Sequence, residues 1–170
     1  MKTIKIILGI VTALTVVFFV TGMFVNEVTY TSEIEINKPI AVVFAAFEKP
    51  ETMKEWLPEV KSIEPIDVKE GVIGSTYKMT VDNQGQEAVM KETITAYIVN
   101  KKMTFNFVSD QMYKIDSFSF TSENGGTKII EHSRIRANSY IMSCMFPYFK
   151  GTFKKMSQDY LQLFKEFVEK

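Results

Sequence analysis

Between residues 60 and 137 the sequence is a nearly unbroken series of strand-like segments, and a single amphipathic helix closes the chain. That order constrains the fold more than any other feature. The segments near 60–67, 73–81, 86–99, 102–109, 112–122 and 126–137 are alternating or rich in β-branched and aromatic residues, with turn residues between them. Val28 to Asn37 alternates in the same way and reads as a strand. Pro39 then stands where a first helical turn accepts it, and Ile40, Val43, Phe44 and Phe47 recur at helical spacing. A second short helix follows Pro50, carries Met53, Trp56 and Leu57, and stops at Pro58. A meander of antiparallel strands must bury one face. The cover is the helix expected from about Met142 to Glu169, with Met145, Phe149, Met156, Tyr160, Leu163 and Phe167 on its apolar stripe. Pro147 marks a first turn or a kink in it. The expected class is α+β: a curved antiparallel sheet of about seven strands wrapped around a long C-terminal helix, with two short helices after the first strand.

Ahead of this unit, Ile6 to Asn26 contains no charged residue over 21 positions. At ~1.5 Å per residue that run matches the roughly 30 Å of a bilayer's hydrocarbon core. Its Val11, Val16, Val17, Phe18, Phe19 and Val20 leave no polar stripe. Two readings are open, an uncleaved N-terminal transmembrane helix and a signal peptide cut near Val20-Thr21-Gly22, the latter giving a secreted domain. With Lys2 and Lys5 before the run and Glu27 after it, the N-terminus is expected to stay cytoplasmic and the domain to be extracytoplasmic. The chain divides into residues 1–27, the anchor segment, and residues 28–170, the folded domain.

All 20 acidic residues lie beyond the run, with all 20 basic ones except Lys2 and Lys5, which gives residues 27–170 a net charge of −2. That balance argues against nucleic acid as a partner. The lone Cys144 makes no internal disulfide and reads as a small core residue. One histidine and one cysteine do not supply the usual zinc site, and no loop has the spacing of a calcium loop, so no metal is expected. Gly71 to Gly74 is a turn between strands rather than a nucleotide-binding loop, and no cofactor is implied.

The chain resembles the START and birch-allergen-like (SRPBCC) superfamily, within it the polyketide cyclase/dehydrase-like branch. The residues that carry the likeness are Thr31-Ser32-Glu33-Ile34-Glu35-Ile36 with Asn37-Lys38-Pro39, the helix Val42-Val43-Phe44-Ala45-Ala46-Phe47, Trp56-Leu57-Pro58, Gly74, and Phe118-Ser119-Phe120 leading into Gly125-Gly126-Thr127. It covers roughly residues 28–169. The resemblance implies a helix-grip fold with a cavity between sheet and C-terminal helix that takes lipids, polyketides or isoprenoids. It does not imply an enzyme, since many such proteins only bind or carry.

Turns fix an expected register. Asn124-Gly125 suits a type I′ hairpin, pairing Phe120 with Ile129, Phe118 with Glu131 and Asp116 with Ser133. A loop from Asp82 to Gly85 would pair Met79 with Ala88 and Tyr77 with Met90. A turn at Asn100-Lys101 would pair Ile94 with Phe107 and Ala96 with Phe105. The inward, ligand-facing set is then Tyr77, Met79, Met90 and Ile94, with Phe105, Phe107, Phe118, Phe120 and Ile129 on the later strands. The last helix adds Met145, Phe149, Met156 and Tyr160, and Trp56 stands at the mouth, to touch a ligand or to pin the second helix. The other reading of this set is a packed core. Eight of the ten methionines lie beyond Met1 and Met23, and flexible thioethers suit a surface that repacks around ligands. An empty cavity of about 300 Å³ costs roughly 7 kcal/mol, so one of that size is expected to hold a ligand or water, or to shrink.

The same register sets Glu92 and Glu131 on the apolar face, with Asp116 near the rim. Poor solvation there raises a carboxyl's pKa and suits it to acid or base work or to anchoring a ligand. Lys128, Arg134 and Arg136 fall on a solvated outer face, as does His132, which has no nucleophile beside it. The function expected is a membrane-anchored binding module holding a hydrophobic small molecule or lipid. A cyclase/dehydrase-type enzyme using Glu92, Glu131 or Asp116 is the alternative, and a protein-interaction module the third. Whether the chain is an enzyme stays open, with binding alone favoured.

Overall fold

The computed structural model describes residues 2–25, 27–83 and 85–170. Asn26, the last residue of the uncharged run, and Gln84, in the 82–85 turn, lie outside them. Helix α1 (Lys2–Phe24) is apolar around its whole girth and mostly exposed. Seven strands follow: β1 (Val28–Ile36), β2 (Val60–Asp67), β3 (Thr76–Asn83), β4 (Gln86–Ile98), β5 (Lys102–Val108), β6 (Met112–Glu123) and β7 (Gly126–Ala137). They form one antiparallel sheet in the order β1-β7-β6-β5-β4-β3-β2. Helix α2 (Ile40–Phe47), a 3-10 turn (Pro50–Thr52) and helix α3 (Met53–Trp56) connect β1 to β2. Helix α4 (Tyr140–Met145), a second 3-10 turn (Phe146–Phe149) and helix α5 (Lys150–Glu169) end the chain. The sheet curls about α5, and the fold is a helix-grip.

Strand β1 shows why the grip closes. Val28, Tyr30, Ser32, Ile34 and Ile36 are buried while the residues between them are exposed, the period of two expected of a half-buried strand. The β6–β7 hairpin has the expected register, including Phe120 opposite Ile129, Phe118 opposite Glu131 and Asp116 opposite Ser133. Asn124 and Gly125 have φ of 51° and 83°, the left-handed pair a type I′ turn needs.

Two other hairpins differ from expectation. Met79 pairs with Met90 and Tyr77 with Glu92, because the β3–β4 ladder runs to the tip at Asn83 and Gln86. Ile94 pairs with Phe105 and Ala96 with Thr104, because the chain bulges between Ile94 and Ala96 and turns through three residues, 99–101. Both displacements amount to two residues at the inward positions, so the inward faces survive.

The closing helix differs more. It starts at Tyr140 with Ser139 as its N-cap, whose hydroxyl accepts from the Met142 amide, and it tightens to 3-10 across Pro147. The phase of the apolar stripe resets there. Ser157, Leu161 and Phe164 are buried in α5, whereas Phe149 and Met156 are each 44% exposed and Met145 is half-buried beside α1 rather than in the grip.

Candidate functional site

The interior between sheet and α5 has two zones. In the first, α2 drives Phe44 and Phe47 into the curl of the sheet. The Phe47 ring lies 4.7 Å from Phe118, 5.2 Å from Phe120 and from Phe164, and 6.1 Å from Phe105. Trp56 closes over this cluster, 4.9 Å from Phe164 and stacked on Phe47 at 6.2 Å. Met79, Ile94, Phe105, Phe120, Ile129 and Trp56 are buried here, and Tyr77, Met90, Phe107 and Phe118 are half-buried. The rings expected to face a guest pack here against one another. Two open recesses lie outside the grip: one of about 330 Å³ lined by Glu33, Lys128 and Gln162, the other of about 570 Å³ between α1 and Tyr148.

Polar atoms are stranded at the edge of this apolar zone. Trp56 Nε1, Glu59 Oε2 and Glu92 Oε2 are buried with no hydrogen-bond partner among the described residues. Such groups cost more unpaired than their bonds return when made. Glu92 is 1% exposed, and burial pushes its carboxyl up to about 7. It pairs across the sheet with Tyr77 on one side and Phe107 on the other. Burial raises the Tyr77 hydroxyl, and the nearby charges of Glu92 and Glu51 push the same way, which brings the Pro50–Thr52 turn close to this end of the grip.

The second zone is a polar belt across the inner face of β1, β6 and β7. Lys114 Nζ lies 2.7 Å from Asp116 Oδ2, and Ser133 Oγ lies 2.7 Å from Asp116 Oδ1 and 2.8 Å from Glu131 Oε1. From α5, Ser157 donates to Glu131 Oε2. Asp116 and Glu131 are each 4% exposed, so Asp116 belongs to the interior and not, as expected, to the rim. One serine hydroxyl has a single proton and cannot donate to both carboxyls. The network closes if Glu131 is the protonated acid, donating to Ser133, which donates to Asp116, whose charge Lys114 balances. Burial raises Glu131, and the neighbouring Asp116 raises it further. Burial alone would lower Lys114, but the neighbouring acidic groups, Asp116 first among them, together with the Asp116 hydrogen bond, outweigh it and hold the ammonium above its ordinary value. Tyr30 is raised by burial beside the belt; Tyr160, half-buried on α5, is pushed up to about 12 by burial and by Glu59.

Lys114 and Ser157 were missed in the sequence. Lys114 shares the parity of Asp116 and Phe118, which was signal enough; Ser157 carries no apolar label, so a search for greasy positions passes over it. His132 is exposed on the outer sheet face, bonded to Thr31 at 2.9 Å, with Arg134 and Arg136 exposed on the same face. Cys144 is fully buried, against α1. Among the described residues no group of three His, Cys, Asp or Glu is placed to hold a metal ion.

A model of the family described as "Polyketide cyclase / dehydrase and lipid transport" matches residues 27–166. No curated protein sequence matches the chain. Among solved structures, a START superfamily protein from Mycobacterium smegmatis superposes with a TM-score of 0.71 at 14% identity, covering 84% of this chain and 97% of that one. The protein TTHA0849 from Thermus thermophilus gives 0.70 at 17% identity over 82% and 96%. The di-domain aromatase/cyclase BexL of the BE-7585A biosynthetic pathway gives 0.67 at 14% identity, covering 85% of this chain and 51% of its own. At these identities the likeness is one of fold.

Proposed function

Because the chain belongs to the polyketide cyclase/dehydrase and lipid transport family, we propose that it is a membrane-tethered module that takes a hydrophobic small molecule or lipid between sheet and α5. The tether is α1, the one helix among the described residues long and apolar enough to cross a membrane. Lys2 and Lys5 in its first turns keep the N-terminus cytoplasmic and the domain outside. The carrying observation is the set of stranded polar atoms, Trp56 Nε1 and Glu92 Oε2, at the border of an aromatic interior. A guest with an apolar body and a polar end would satisfy them while replacing ring contacts with its own. Entry requires α3 and Trp56 to swing off Phe47 and Phe164. The inward set from Tyr77 to Ile129, with Tyr160, forms the lining after opening.

The test is native mass spectrometry of the full chain released from mild detergent, with organic extraction of what travels with it. A bound apolar molecule of defined mass, lost in Glu92→Leu, is the expected result. An apo mass across several preparations overturns the reading.

The belt favours a second reading, an enzyme. A protonated Glu131 hydrogen-bonded through Ser133 to Asp116, and a Glu92 carboxyl near 7, are the kind of groups that move protons near neutral pH. The amide variants Glu92→Gln, Glu131→Gln and Asp116→Asn separate the two: retained binding and no lost turnover speak for a carrier.

A further inference from the structure

From Ala137 to Phe149 the sequence is again free of charge, with Arg136 before it and Lys150, Lys154 and Lys155 after it. In the fold this stretch is the bent pair of α4 and its 3-10 turn; Cys144 and Phe146 are buried, while other apolar side chains face outward. Ile141 is 62% exposed, Tyr148 59% and Phe149 44%. Burying such residues is the ordinary outcome of folding, so a contiguous exposed set calls for a partner.

The partner follows from what lies beside them. The last turns of α1 dock on this segment through the Tyr140 hydroxyl, which donates to the Phe19 carbonyl at 2.6 Å, and through Thr21 and Tyr148, whose hydroxyls lie 3.1 Å apart. Phe18 stacks on Tyr148 and Phe19 on Tyr140, both at 6.2 Å. Gly22 packs on Cys144 so closely that a Cβ there would stand 2.3 Å from the thiol sulfur. The docked residues precede Phe24, the end of α1, by two to six positions, roughly 3–9 Å at ~1.5 Å per residue. A helix crossing a bilayer therefore carries α4 and its turn down to the depth where amphipathic segments rest, roughly 5–10 Å into the headgroup and acyl boundary. Tyrosines suit that level, and exposed lysines on the far side reach lipid phosphates.

We propose that Tyr140–Phe149 is a second membrane contact, lying in the leaflet at the C-terminal end of α1, with Ile141, Tyr148 and Phe149 immersed and Lys150 and Lys154 at the phosphates. The inference rests on reading α1 as an uncleaved anchor. Its consequence is that the domain lies against the bilayer on a defined face, with the start of α5 at the lipid surface.

The experiment uses the full chain in vesicles of phosphatidylcholine and phosphatidylglycerol, labelled with an environment-sensitive fluorophore at Ile141→Cys or, as the aqueous control, at Val42→Cys on α2. The wild-type chain carried through labelling sets the background from Cys144, and circular dichroism checks that each variant is folded. Roughly fivefold stronger quenching by doxyl lipid at position 141 than at 42, with protection from iodide, is the expected result. Iodide quenching at 141 in a chain that floats with the vesicles overturns this inference and leaves the anchor standing. Protection from both quenchers means that protein, such as a second copy, covers the face, and also overturns it. A chain that does not float takes the anchor reading down and this one with it.

Discussion

Lys114 Nζ sits 2.7 Å from Oδ2 of Asp116, two residues further along the same strand, and both side chains point into the grip rather than to solvent. A buried pair of this kind adds little over a well-packed apolar pair, yet removing one partner is expensive, since the other is left charged and unsolvated.

The belt therefore distinguishes its two acids. Asp116→Asn should cost about 3–5 kcal/mol in chemical denaturation at pH 7, because Lys114 loses its counter-charge. Glu131→Gln should cost only about 1 kcal/mol, since an amide N–H replaces the carboxyl proton on Ser133. Equal losses in the two variants would show that Glu131 is ionised.

Glu92 sets a pH dependence. Its folded pKa of about 7 stands above a glutamate's ordinary 4.5, so the neutral acid is the form that folding favours. The associated stability is fully present below about 4.5 and fades as pH rises through 7, a loss of roughly 3 kcal/mol by pH 8. Glu92→Gln should flatten that limb and be the more stable protein at pH 8. Denaturation curves at pH 5 and pH 8 that change alike in both proteins would contradict this.

Phe47 is the hub of the aromatic zone. Phe47→Ala should destabilise the domain by about 3–5 kcal/mol, through lost burial and the space left behind. The same space should admit benzene or a similar small apolar probe, and a rise in melting temperature with added probe measures it.

Gly22 decides whether α1 stays docked. Gly22→Leu should push the helix off α4 and expose Cys144, accelerating its reaction with a soluble maleimide at least about tenfold, the equivalent of ~1.4 kcal/mol of local opening. The fold of residues 28–169 should be unaffected by circular dichroism. Unchanged protection would mean that the contact is not what shields the thiol.

Much of this architecture is written in patterns of period two. Asn124-Gly125 alone set the register that brings Asp116, Glu131 and Ser133 to one face. The bulge at Thr95 carries no such mark, because any residue can be the extra one, yet two-residue slips leave sidedness intact. The last helix was less legible. Its phase depends on how many residues Phe146–Phe149 spend per turn, and a 3-10 turn advances the stripe differently from an α-helix. The contacts among the inward rings were invisible for another reason: alternation tells which rings point inward, not how they meet.

Without a side chain at position 22, α1 and the domain meet as a close splice instead of a leash. A domain on a leash samples every tilt and reaches whatever its linker's length permits. If α1 is the proposed anchor, a spliced domain has a single stance, and the approach to Trp56 would open at a constant height above the lipid. Delivery to a distant acceptor would then call for the acceptor to come to the chain.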